Sequence, residues 1–70
     1  MSSEKLTLGE IILKYRIKRG LSQEALAKKA SVHVMTIHNM ENNRTKPMPL
    51  VLKSVGEALN INLDEFKGGE

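Results

Sequence analysis

The sequence predicts an all-α fold, a compact bundle of five short helices, and three observations carry that expectation. Apolar residues recur at helical spacing in short segments, each opened by a capping signal and closed by a turn signal. The chain has 70 residues and no cysteine, so neither disulfides nor a cysteine-based zinc site can reinforce a thin core. Its only aromatics are Tyr15 and Phe66, which leaves Ile, Leu, Val and Met to fill the interior. Short loops between short helices meet those limits. With no repeat, low-complexity tract or linker, the chain reads as one domain over residues 7–67, between a flexible start at 1–6 and a tail at 68–70.

Thr7-Leu8-Gly9-Glu10 reads as a capping box, and Leu6 with Ile11 as its hydrophobic staple. The first helix then runs to about Arg19, with Leu8, Ile12 and Tyr15 at inward spacing and Gly20 as its left-handed stop. Lys14, Arg16, Lys18 and Arg19 crowd its last turns. Cations there complement the negative helix end, which accounts for Lys18 and Arg19 without any partner.

Ser22 is suited to cap a second helix over residues 23–30, Glu24 suits its positive end, and Leu21 and Leu26 can staple it. Leu26 and Ala27 point inward and Lys28 and Lys29 outward; Ala27 is short, as a tight crossing requires. The break falls at Ala30-Ser31-Val32. A left-handed Ser31 would cost about 1 kcal/mol that glycine would not. His33 opens the third helix, although Ser or Thr is the expected cap, and Val32 and Ile37 flank that start. Two helices this short, joined by so tight a turn, must cross steeply, which is helix-turn-helix geometry.

The third helix, Val34 to about Asn42, separates into two stripes. Val34, Ile37, Met40 and Glu41 share one side, and Met35, His38, Asn39 and Asn42 share the other. The first reads as the inward face and the second as an exposed, mostly polar surface. Glu41 faces the negative end of its own helix from the inward stripe, so it requires a cation.

Residues 42–47 form a polar loop, and Pro49 fits the first position of a fourth helix that continues to Leu59. Leu52, Val55 and Leu59 turn inward, while Gly56 in mid-helix points to close backbone packing. Asn60 ends that helix. Asn62-Leu63-Asp64-Glu65 then opens a fifth, with Ile61 and Phe66 as its staple.

A net charge of +3 and a pI near 9.5 favour a polyanionic partner, although a mild positive excess also serves solubility. No apolar run is long enough to span a bilayer and no signal-peptide pattern opens the chain, so a cytoplasmic protein is expected. Catalysis finds no support: there is no phosphate-binding glycine loop and no nucleophile motif. His33 and His38 fall on different sides of a helix without carboxylates at metal spacing, so no metal and no cofactor are expected.

The stretch SQEALAKKASVHVMTIHNMENNR resembles the helix-turn-helix of the Cro/CI (Xre-type) repressor family. Ser22, Gln23, Leu26, Ala27, Ile37 and Glu41 match the family pattern in register, and Arg16, Pro47 and the ALNINLDEF segment agree with its flanks. The resemblance spans residues 8–66; Ser31 and Asn43 depart from it, standing where the family usually carries glycine. It implies a lambda-repressor-like domain whose third helix enters the major groove of double-stranded DNA while the second crosses the backbone. The base-facing positions then fall on Val34, Met35, His38 and Asn39. Asn39 is suited to bond adenine bidentately, and Val34 and Met35 to pack on thymine methyls. Val34 equally suits the core.

Phosphate contacts fall on Gln23, His33, Thr36, Asn42, Arg44, Thr45 and Lys46, and Arg16 becomes the cation for Glu41. By the same resemblance the protein is expected to be a transcriptional regulator, acting as a repressor and binding an inverted-repeat operator as a homodimer. A bacterial, phage or mobile-element origin goes with that expectation. The pairing surface would lie in the C-terminal third, around Ile61, Leu63 and Phe66. The rival reading is a protein-interaction module on the same fold, antitoxin-like or a regulatory adaptor. The apolar pair Val34 and Met35 supports it. A membrane-surface role for the first helix is weaker, because its apolar positions are needed inside.

Overall fold

The computed structural model describes residues 6–66, and within them every regular element is helical. The expected flexible start and tail lie, but for Leu6, outside the described residues. Four α-helices follow one another: α1 (Leu8–Lys18), α2 (Gln23–Ala30), α3 (Val34–Glu41) and α4 (Pro49–Leu59). The expected fifth helix is instead a single 3-10 turn, Asp64–Phe66. Asn62 Oδ1 does accept from the Asp64 N–H at 2.7 Å. The turn closes from the Phe66 N–H to the Leu63 carbonyl at 3.0 Å, the i to i+3 pattern of the tighter helix.

The N-termini follow local chemistry. Thr7 and Glu10 form the reciprocal capping box of α1, and Ser22 Oγ accepts from the Ala25 N–H at the start of α2. Leu6 stays largely exposed, so the staple beneath α1 is carried by Ile11 alone, which packs on the core. His33 does cap α3: its Nδ1 accepts from the Met35 N–H at 3.3 Å. An imidazole nitrogen can do this when unprotonated, so the residue that looked out of place is a functional cap.

The four C-termini share one device. Gly20, Ser31, Asn43 and Asn60 all take the left-handed conformation, with φ of 71°, 60°, 55° and 61°. After each, a backbone N–H reaches five residues back: Leu21 to Arg16, Val32 to Ala27, Arg44 to Asn39 and Ile61 to Gly56, at 2.8–3.0 Å. This is the Schellman arrangement, which satisfies the last carbonyls and reverses the chain within two residues. Four sharp stops hold the helices to 8–11 residues each.

The core is one cluster, drawn from every α-helix and the segment that follows α4. Ile12 (α1), Leu26, Ala27 and Ala30 (α2), Ile37 and Met40 (α3), Leu52, Val55 and Leu59 (α4) and Leu63 are buried. Two glycines set its tightest approaches. A Cβ on Gly9 would stand 2.3 Å from the Glu41 carbonyl oxygen, so α1 begins directly against the end of α3. A Cβ on Gly56 would stand 2.9 Å from the Ile61 oxygen and 3.5 Å from Leu63 Cγ, where the chain folds back over α4. The neighbour expected for Gly56 is therefore its own returning turn. Leu63 is consumed in that contact, which removes it from the pairing surface expected of the C-terminal third. Ile61 and Phe66 remain half-buried there.

Candidate nucleic-acid interface

Packing of α3 against α1 and α2 leaves one stripe of the helix outside the core. Met35 is 51% exposed and Asn42 is exposed, while His38 and Asn39 are half-buried along the same side. Val34 is half-buried and packs against the core cluster, so it belongs partly to the inward face. Ile37 and Met40 are fully inside. At the ends of α3 stand the exposed His33 cap and half-buried Thr36 on one side, and exposed Arg44, Thr45 and Lys46 on the other. Asn42 is partly committed already: its Nδ2 donates to the His38 carbonyl at 2.8 Å, closing the last turn. The side chains of Arg44, Thr45 and Lys46 make no hydrogen bond among the described residues.

Beneath this surface lies a charged network joining three helices. Arg16 Nε donates to Glu41 Oε2 at 2.5 Å and Arg16 Nη2 to Glu41 Oε1 at 3.2 Å, a two-pronged contact across α1 and α3. Arg16 Nη1 also donates to the Leu21 carbonyl at 2.9 Å. The side chains are 14% and 6% exposed, so neither charge could stay there alone. Gln23 completes the set, its Nε2 donating to Glu41 Oε1 at 2.9 Å. One N–H of its amide is thereby spent on the network. Its carbonyl oxygen accepts nothing among the described residues, while the second N–H remains for another acceptor.

Several contacts that matter here carried no sequence signal of their own. Gly9 reads only as an ordinary residue of a first helical turn, yet it admits the end of α3. Arg19 Nε donates to the Leu59 carbonyl at 2.9 Å and so ties the end of α1 to the end of α4. Lys14, Lys18 and Arg19 all gather over the Tyr15 ring, 5.6–5.7 Å from its centre. Asn43 reaches back across the chain: Gly9 N–H donates to its Oδ1 at 3.0 Å, and its Nδ2 donates to Thr7 Oγ1 at 3.1 Å. The inward spacing of Ala30 could have been read from Leu26 by the i, i+4 rule. No helix among the described residues is long and apolar enough to cross a membrane. None of their His, Asp or Glu side chains form a group able to hold a metal ion.

Known proteins share this arrangement. The P22 c2 repressor, bound to a synthetic operator, superposes with a TM-score of 0.81 at 29% identity, covering 94% of this chain and all of that one (100%). SinR, a master regulator for biofilm formation solved in complex with DNA, gives a TM-score of 0.78 at 30% identity, over 86% of this chain and 97% of that one. SinR in its complex with SinI gives 0.78 at 28% identity; there the match covers 86% of this chain but only 59% of the SinR chain. No curated protein sequence matches. A helix-turn-helix family model matches residues 12–66, from the buried Ile12 of α1 to the end of the 3-10 turn, and the chain belongs to the helix-turn-helix family of the Xre (Cro/CI) type.

Proposed function

We propose that this protein is a sequence-specific, double-stranded DNA-binding transcriptional regulator, acting as a repressor. The observation that carries the reading is the exposed stripe of α3, bounded by a capped N-terminus and an unengaged basic loop, within a domain of this family. Asn39 is the principal base reader, with Met35, His38 and the accessible part of Val34 beside it. Gln23, His33, Thr36, Asn42, Arg44, Thr45 and Lys46 meet the phosphates on either side. Gln23 does so while still bonded to Glu41, so its second N–H reaches the phosphate from a fixed amide.

One such helix reads only a few base pairs, and pairing two copies on an inverted repeat multiplies the site. A homodimer is accordingly part of the proposal, with Ile61 and Phe66 at the pairing surface. Selection from a random DNA pool tests it: the recovered sites should be inverted repeats with half-sites about one helical turn apart. Affinity should fall steeply as salt rises, and Lys46→Ala should make that slope shallower by about 0.9 for one lost phosphate contact. A complex with DNA that ignores salt would refute the phosphate grip.

Exposure of Met35 favours a second reading, in which the same stripe of α3 meets another protein. Failure to recover any DNA site, together with a salt-insensitive protein complex lost on Met35→Ala, would support that reading instead.

A further inference from the structure

We propose that Asn43 is a positioning residue for DNA binding, holding the basic loop 44–46 in register by latching the end of α3 onto the first turn of α1. The inference rests on the DNA-binding reading above. A left-handed stop alone does not explain asparagine at this position, because glycine takes φ of 55° with less strain. What glycine lacks is the amide, and here both ends of the amide are engaged across the fold. Its oxygen accepts from Gly9 N–H, one of the first-turn donors that α1 cannot satisfy internally. Its nitrogen donates to Thr7 Oγ1, the oxygen that also caps Glu10.

The anchor is stiff for a separate reason. Gly9 lies so near the Glu41 carbonyl that α1 and the end of α3 meet backbone to backbone. From that point the chain leaves directly into the loop. The Arg44 N–H is bound to the Asn39 carbonyl at 2.9 Å, and beyond it the side chains of Arg44, Thr45 and Lys46 have no partner among the described residues. Orientation of these cations is therefore inherited from the Asn43 turn. Ordering side chains and loops is a large part of the cost of association, so a turn held before DNA arrives raises affinity without adding a contact.

Asn43→Gly keeps the left-handed turn and deletes the latch. On a duplex recovered by selection, Asn43→Gly should weaken binding by about fivefold or more, and by less than about twofold when Arg44 and Lys46 are already alanine. An equal loss in both backgrounds, or no loss in either, overturns the proposal; lower thermal stability alone does not move this ratio. If the wild-type chain itself selects no duplex, the DNA-binding reading has failed, and that is seen before any variant is made. Should Asn43→Gly fail to fold, hydrogen exchange in the wild-type protein decides the matter. Linkage is reciprocal, so DNA must tighten the latch and slow exchange of the Gly9 amide beyond that of the Arg19 amide, whose bond to the Tyr15 carbonyl at 2.9 Å belongs neither to the latch nor to the proposed DNA contacts. Equal slowing at both amides overturns the proposal.

Discussion

Arg16→Met is the sharpest test of how the helices are held together. Arginine donates three hydrogen bonds in the native fold, two to Glu41 and one to the Leu21 carbonyl. Methionine keeps much of the side-chain length and none of the donors. Glu41, only 6% exposed, is then left with the single bond from Gln23. Removing one partner of a buried pair costs about 3–5 kcal/mol, and the surviving Gln23 bond places this variant at the lower end, about 3 kcal/mol. Small domains have roughly 5–15 kcal/mol in total, so a chain of this size would lose a large part of its stability. At about 4–8 °C per kcal/mol for a domain this small, the melting temperature should fall by roughly 12–24 °C.

Circular dichroism melts and urea titrations on purified protein measure that loss. The double change Arg16→Met with Glu41→Leu discriminates the cause. With no carboxylate left to desolvate, it should recover most of the stability, leaving a deficit nearer to about 1 kcal/mol from the lost Leu21 and Gln23 bonds. A neutral single variant would refute the buried pair. A double variant as unstable as the single one would show that packing of the arginine stem, rather than the stranded charge, sets the cost.

Three further outcomes are expected. Gly9→Ala should destabilise the fold by about 3 kcal/mol or more, read from the urea midpoint, because the added carbon collides with backbone at Glu41 that cannot rotate away. Ser31→Gly should raise stability by about 1 kcal/mol, since it relieves an L-residue at φ of 60° while keeping the α2–α3 turn; a drop in the midpoint would mean the Ser31 side chain has another role. Asn39→Ala should relax preference at one symmetric base position of the selected operator by about 1–3 kcal/mol and leave the others intact, whereas uniform weakening across sequences would assign Asn39 to the backbone instead.

Helix existence, capping and the two stripes of α3 were legible in the chain because each rests on residues three or four apart. Thr7 with Glu10, Ser22 before Gln23, and Ile37 with Met40 announce their roles through local spacing, and the structure places them in those roles. The left-handed stops were readable for the same reason, since Gly20 and the asparagines are intrinsically suited to them. The fifth helix was not: its cap was present, but a good cap does not determine how far a helix propagates, and what forms is a 3-10 turn packed on α4 through Leu63. Likewise, Arg16 and Glu41 are separated by 25 positions, and only the family resemblance paired them beforehand. Gln23 joining that pair, Arg19 closing α4, and Asn43 bonding to Gly9 and Thr7 are decided by which helix ends meet in space. Side-chain reach across 18 to 40 positions leaves no periodicity in a sequence, so these contacts exist only once the four helices have crossed.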